Sequence, residues 1–353
     1  MKQREIGIDV MKALLVLGMV YCHILQFFMD LGKQPLADHV TQYINVVTFS
    51  GFVFVFGYTG YMTYLSKSFK AIYMKLGINT MKMLFAFYLS GTAFRVLVDH
   101  RKLTAGVIRN IVLLKDIPGW SEFIISFALF LLLTLIFYYP LKKGVEYRIP
   151  YLVVTALLLL TTFIPYEHVP TKQLGLIVGS TLFASFPVVQ YLPFFLIGIY
   201  FKRYGVRASL RTLLGGAALS SIGLVYMGMH AWQIPGRFPP TIYFLLLAAF
   251  PLMIYHAIGQ LVEEKDWHWH GFALLGGNTM VYLLLSNMMI FALAGARAFI
   301  RFDWTSTLLV YVGIMGTITY LVKMCHPGHK TINGRQSMNP HGQSQESWWG
   351  RDV

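Results

Sequence analysis

Nine long stretches of this 353-residue chain contain no Asp, Glu, Lys or Arg. A helix that crosses the roughly 30 Å hydrocarbon core of a bilayer needs about 20 apolar residues, and most of these stretches reach that length. They are 13–29, 39–66, 123–141, 149–166, 173–201, 212–236, 238–262, 267–296 and 304–322. Backbone polar groups in lipid must be satisfied within the protein, which favours helices. We therefore predict an all-α, polytopic membrane protein.

The composition supports the same class. Hydrophobic residues make up 56% of the chain and charged residues 12%, whereas soluble domains carry roughly 25% charged residues. This excludes a soluble enzyme and a disordered chain. Cys22 and Cys325 are too few for a disulfide scaffold or a Cys-rich metal site, and no metal is expected.

Two regions complicate the helix count. We predict a tenth span at about 80–99, although Lys82, Arg95 and Asp99 interrupt it. Pro187 divides the 173–201 stretch, because proline favours the start of a helix over its interior. We place that helix at about 187–204 and treat 168–186 as an outer or re-entrant segment.

The basic residues predict the orientation. The net charge is +14, and most of the excess falls on alternate connecting segments. Since cytoplasmic loops are enriched in Lys and Arg, about ten helices with both termini in the cytoplasm fit best. The basic balance thus indicates a lipid bilayer as partner, with no nucleic acid.

Two domains are expected from this division. Residues 1–325 form the membrane domain, and 326–353 form a polar cytoplasmic tail that we expect to be disordered, since it is rich in Gly, Gln and Ser. Asp9 and Lys12 interrupt the first apolar segment, so we expect a retained helix and no cleaved signal peptide.

The first helix carries the polar residues that most need explanation. Ionisable residues inside a membrane helix are costly and usually face a cavity or a partner. Asp9 and Lys12 are three residues apart and can form an ion pair. Lys12 and His23 differ by about 20° around the helix axis, and Gln26 follows His23 by one turn. The simpler interpretation is that the ion pair snorkels to the interface and His23 packs in the core. The shared face favours a site in which His23 acts as a general base.

The segment IDVMKALLVLGMVYCH resembles the first helix of integral-membrane acyltransferase family three, whose members O-acylate cell-surface sugars. Asp9, Lys12 and His23 fit the family spacing, with Lys12 where the family usually has Arg. Four later segments resemble the family in order: FVFVFGYTGYMTYL, PGWSEFIISFALFLLLTLIFYYPL, YLPFFLIGIYFKRYG and LLGGNTMVYLLLSNMMIF. The resemblance covers about residues 1–325.

Two departures affect what is carried over. Many members have a His in the late helix, near which this chain has Ser286 and Asn287. Many also have an Arg pair at the start of the third helix, where Lys75 and Lys82 stand here.

The resemblance implies transfer of an acyl group, acetyl by preference, from cytoplasmic acyl-CoA to a hydroxyl of an extracytoplasmic glycan or lipid-linked sugar. His23 would be the general base, with Asp9 fixing Lys12. Acyl-CoA would meet Lys12, Thr59, Lys75 and Lys82, and the acceptor would meet Gln26 and Glu122. The expected location is a bacterial cytoplasmic membrane, beside polysaccharide biosynthesis machinery.

Two other functions stay open. One is a transporter of a small anion or lipid-linked sugar, in which His23 relays protons. The other is a non-catalytic membrane subunit of a polysaccharide synthesis complex. Succinyl or another acyl group, and a covalent acyl-enzyme, also stay open.

Overall fold

The computed structural model describes residues 5–265, 267, 270–296 and 301–325. All regular secondary structure in this part of the chain is helical, and it contains no strand. The helices are α1 (Ile6–Phe28), α2 (Pro35–Gly60), α3 (Phe69–Leu97), α4 (Ala105–Val112), α5 (Glu122–Ile136), α6 (Tyr138–Gly144), α7 (Arg148–Leu157), α8 (Lys172–Val178), α9 (Val188–Tyr204), α10 (Leu210–Met229), α11 (Ile242–Leu247), α12 (Ala249–Glu264), α13 (His270–Gly277), α14 (Thr279–Ala296) and α15 (Trp304–Cys325).

Six helical segments of the described residues are long and apolar enough to cross a bilayer, so the prediction of an all-α membrane protein is confirmed at that level. They are Ile6–Phe28, Pro35–Leu65, Leu210–Met229, Ile242–Glu264, Thr279–Ala296 and Trp304–Cys325. A seventh candidate is α5 together with α6, which meet at a bend of 79°.

Several predicted spans have different bounds in the structure. The segment 80–99, which we predicted as a tenth span, lies within the helix α3, which begins earlier, at Phe69, and is not among the six long apolar segments. The span predicted within 149–166 changes from α-helix to a 3₁₀-helix at Leu158–Phe163. The helix predicted at 187–204 is confirmed as α9, which starts directly after Pro187. The predicted tail, 326–353, lies outside the described residues.

Proline interrupts two apolar stretches that were predicted as single helices: 123–141 is broken into α5 and α6, whereas Ile242–Glu264 remains one span-length segment within which α11 passes into α12. A proline has no N–H to donate to the carbonyl four residues earlier. Pro140 therefore leaves the Ile136 carbonyl without its helical donor, and α5 ends at Ile136. Pro251 does the same to Leu247, where α11 ends. The stretch 267–296 is also divided, at Asn278, between α13 and α14.

Helix α1 lies at the centre of the bundle. It packs against α2, α12, α13, α14 and α15, and most of its apolar side chains are buried. Its last residue, Phe28, accepts a hydrogen bond from the backbone of Phe302 at 2.7 Å, just before α15 begins. We call this end of the bundle the cavity end, and the opposite end, where α1 begins, the Glu5 end.

Candidate active site

The predicted ion pair of α1 forms near the Glu5 end. Lys12 Nζ lies 3.5 Å from Asp9 Oδ1, and Asp9 is buried. Helix α13 covers it closely: a Cβ atom at Gly276 would overlap the backbone carbonyl of Asp9. Glycine is therefore needed where α13 crosses α1.

His23 lies at the cavity end and is held by Asn287 of α14. Its Nδ1 is 2.9 Å from Asn287 Oδ1, and Asn287 Nδ2 donates to the carbonyl of Trp120 at 2.9 Å. A carbonyl can only accept, so the amide must present its NH₂ to Trp120 and its oxygen to His23. A neutral His23 then carries its proton on Nδ1 and its lone pair on Nε2. This is the tautomer in which Nε2 can act as a base.

Trp120 closes the site from the loop before α5. Its indole ring meets the His23 imidazole edge-on, with centroids 4.9 Å apart, and it contacts Phe27 at 4.5 Å. Its φ of +65° is left-handed, which costs a non-glycine residue about 1–3 kcal/mol and occurs most often at functional sites. The carbonyl and ring of Trp120 are thus held in place by Asn287, His23 and Phe27.

A cavity of about 260 Å³ lies beside His23. Its walls come from the end of α1, the start of α2, residues 119–123, residues 184–186 and residues 237–238. Three predicted site residues, His23, Gln26 and Glu122, line it together. The polar lining also includes Cys22, Asn45, Thr48 and Arg237, and the rest is mainly aromatic.

Two charged side chains of the cavity have unsatisfied atoms. Glu122 is 8% exposed, and its Oε2 is buried without a hydrogen-bond partner, as is the Nε of Arg237. The Arg237 guanidinium lies 5.1 Å from the ring centre of Phe186 and 4.5 Å from that of Phe238. Burial lowers the pKa of Arg237 from its ordinary value, while nearby groups including Glu122 act in the opposite direction.

The sequence reasoning did not assign Arg237, Trp120 or Asn287 to the site. Arg237 is the one charge that separates the stretches 212–236 and 238–262, and this isolation is the signal by which the sequence could have identified it. Asn287 was named only because many members of the family have a histidine near its position. That correspondence is the signal that could have indicated a contact with His23.

The predicted acyl-CoA residues do not line the cavity. Thr59 Oγ1 donates to the Val55 carbonyl of its own helix at 2.9 Å. Lys82 is exposed and lines an outward-facing apolar groove between α3 and α5. Lys75, seven residues earlier on α3, is partly buried. Lys12 lies on α1, so the structure distributes the four residues over three helices.

A further charged cluster lies at the Glu5 end. Lys202 of α9 pairs with Glu5, and its Nζ lies 5.4 Å from the ring centre of Tyr58. This contact joins the start of α1 to the ends of α2 and α9. The Glu5 end therefore has both the Asp9–Lys12 pair and a second basic side chain.

His256 and Gln260 of α12 have structural contacts. Gln260 Oε1 accepts from the backbone of Ala208 at 2.6 Å, and His256 Nε2 lies 3.2 Å from the Val206 carbonyl. They hold the connection between α9 and α10.

No family model, curated protein or solved structure matches this chain. Within the described ranges, no three His, Cys, Asp or Glu side chains come together as ligands for a metal ion.

Proposed function

We propose that this protein is a membrane O-acyltransferase that moves an acyl group from acyl-CoA to a hydroxyl of an extracytoplasmic glycan. The observation that carries the proposal is the hydrogen-bonded chain from Trp120 through Asn287 to His23, beside a cavity. A histidine whose Nδ1 is held by an acceptor is oriented to use Nε2 as a general base. The resemblance of the helix 1 motif to acyltransferase family three supplies the reaction class.

In the proposed reaction, Nε2 of His23 takes the proton of the acceptor hydroxyl. The hydroxyl oxygen attacks the thioester carbonyl, the C–S bond breaks, and the thiolate of coenzyme A leaves and takes up the proton that His23 received, which returns Nε2 to its neutral form. Removing the proton as the oxygen attacks is the contribution expected of a general base. Direct transfer needs no covalent enzyme intermediate, and we propose it as the simpler route.

The acyl donor, acyl-CoA, would bind at the Glu5 end. Coenzyme A carries phosphates, for which Lys12 and Lys75 would supply positive charge, with Thr59 as a further polar contact; Lys82, which lines the outward-facing groove between α3 and α5, is not one of them. Asp9 would position Lys12. His23 lies about 21 Å along α1 from Asp9, so the acyl arm would extend from this end toward the cavity.

We also propose ten membrane crossings, with the Glu5 end and both termini at the cytoplasm. The bent pair α5–α6, the charged helix α3, the short helices α7 and α9 and the six long apolar segments would make up these crossings. The cavity would then open to the outer face of a bacterial cytoplasmic membrane, near polysaccharide biosynthesis machinery.

The test is turnover of labelled acyl-CoA by the purified full chain. Wild type is incubated with acetyl-CoA and, separately, succinyl-CoA, and thiol release is measured with and without glycan acceptors. His23→Ala should lower turnover by about 10²- to 10⁴-fold, the usual contribution of a general base. His230→Ala is the matched control, because His230 is exposed and bonds only within its own turn.

Equal turnover in wild type and His23→Ala would show that His23 is not catalytic. If neither acyl-CoA is bound or used, the acyltransferase assignment is wrong. Proton-coupled uptake of an anion or lipid-linked sugar that depends on His23 would then favour the transporter, for which broken helices such as α5–α6 are typical.

A further inference from the structure

The unsatisfied charges of the cavity identify a ligand site that includes Arg237. Glu122 Oε2 and Arg237 Nε are both buried without hydrogen-bond partners, and among the described residues neither side chain forms a salt bridge. Buried polar groups in native proteins are almost always paired, and an unpaired one costs about 1–3 kcal/mol. Both side chains line the cavity that contains His23.

Apart from Glu122, whose charge acts on it through space, the side chains that hold Arg237 in place include two aromatic rings. Phe186 and Phe238 lie beside the guanidinium, and Phe186 also stacks on Phe49 with centroids 4.0 Å apart. Aromatic faces attract a cation but leave its N–H groups free to donate in the plane of the guanidinium. Arg237 is therefore positioned to donate to an oxygen atom of a ligand.

The pair of charges selects the kind of ligand. A hydroxyl both donates and accepts, so a ligand with several hydroxyls satisfies Arg237 and Glu122 together. A carboxylate or phosphate would satisfy Arg237 alone and would be repelled by Glu122. The aromatic walls suit the C–H face of a sugar ring. A volume of about 260 Å³ lies just below the usual range for small-molecule pockets, which suits a single ring.

We propose that Arg237 and Glu122 form the acceptor-binding pair, and that the cavity takes one neutral sugar residue whose hydroxyls bridge the guanidinium and the carboxylate. This inference rests on the proposed function only in treating the bound sugar as the acceptor of the acyl group. The sugar site itself needs no acyl transfer.

The experiment measures binding without acyl-CoA. Saturation-transfer NMR is recorded on the full chain in nanodiscs with methyl glucoside and methyl glucuronide, which differ only at C6. Wild type should bind the neutral glycoside at least about tenfold more tightly. Arg237→Gln and Glu122→Gln should each weaken its binding by about 10- to 100-fold, as expected for a lost hydrogen bond to a charged group. Arg207→Gln, which changes an exposed arginine at the Glu5 end, should bind like wild type.

Tighter binding of the glucuronide, binding of neither glycoside, or unchanged binding in Arg237→Gln would each overturn the inference. The wild-type comparison decides the outcome even if a variant fails to fold. Sugar binding that depends on Arg237 in a protein that does not use acyl-CoA would support this site and contradict the acyltransferase proposal. Turnover of acyl-CoA by a protein that does not prefer the neutral sugar would support the acyltransferase proposal and contradict this sugar site.

Discussion

A single amide, Asn287, fixes both the imidazole of His23 and the carbonyl of Trp120. Asn287→Leu keeps a similar volume but removes both hydrogen bonds. We expect the rate of acyl transfer to fall by about 10- to 100-fold, because His23 loses the group that sets its tautomer and orientation. Thiol release from acyl-CoA, measured as kcat and KM, checks this, and KM for acyl-CoA should change little.

Ser286→Ala is the control for that variant. Ser286 directly precedes Asn287 and is equally buried, but its hydroxyl donates only to the Leu283 carbonyl of its own helix. A similar loss of acyl-transfer rate in both variants would mean that α14 tolerates no substitution at these positions. It would contradict a specific role for Asn287.

The sequence identifies some of these residues and not others, for a physical reason. Asp9, Lys12 and His23 stand out because polar groups in an apolar helix are costly and share one face. Asn287 lies 264 residues from His23, and no local periodicity relates the two. Arg237 looks like an ordinary loop charge until the fold places it between Phe186 and Phe238.

At the scale of elements, α2 and α9 cross through two glycines. A Cβ at Gly57 would overlap the carbonyl of Phe195, and one at Gly198 would overlap that of Phe54. We expect Gly57→Ala and Gly198→Ala to lower the free energy of unfolding by about 1–3 kcal/mol each, because packed backbones must separate. Thermal unfolding in detergent measures this.

Gly60 provides the comparison within the same Gly-x-x-Gly motif. A Cβ there would meet only the ring of Phe195, at 3.9 Å. Gly60→Ala should be neutral or stabilising by up to about 1 kcal/mol, given the helix propensities of the two residues. If Gly57→Ala were equally harmless, the close crossing of α2 and α9 would be wrong.

The loop that carries Trp120 is attached to α3 by Arg95. Arg95 makes a bidentate pair with Asp116 at 2.9 and 2.5 Å and also bonds Asp99. Arg95→Gln should destabilise the protein by about 1–3 kcal/mol and speed tryptic cleavage after the exposed Lys115, because the loop loses its attachment and can adopt the extended form that a protease needs. Cleavage kinetics and thermal unfolding measure the two effects.

Arg101 serves as the matched control. It is half exposed, and its contacts to Asp99 and Asp116 are 3.9 and 3.8 Å, a range in which surface pairs contribute about 1 kcal/mol or less. If Arg101→Gln loosened the loop as much as Arg95→Gln, the loop would be held by positive charge in general and not by the bidentate Arg95–Asp116 pair.

The length of a stretch without charged residues predicts where helices lie, but it does not show where they break. It located α1, α2, α10 and α15 because nothing in those stretches opposes a helix. It missed the ends at Ile136 and Leu247, since a proline is apolar by count yet removes a hydrogen bond. The proline at 187 was recognised because it stood in a stretch too long for one span.

At the scale of the whole molecule, the proposed topology places the end of α15 in the cytoplasm. Cys325 is exposed and Cys22 is buried, so the natural chain carries its own reporter. In Cys22→Ala, a membrane-impermeant maleimide should label Cys325 only after the cells are permeabilised. Labelling of intact cells would contradict ten crossings with a cytoplasmic C-terminus. Cysteine placed at His168 reports on the other side and should be labelled in intact cells.

The pairing of His23 with Asn287 also has a consequence for biosynthesis. His23 is made among the first residues, and its hydrogen-bond partner is made 264 residues later. At about 5–20 residues per second, roughly 15–50 s of synthesis separate the two. During that interval the imidazole is in the membrane without the amide that later orients it. Premature release of chains before α14 would leave the first helix inserted and the base without its partner, so truncated products should be substrates for membrane quality control.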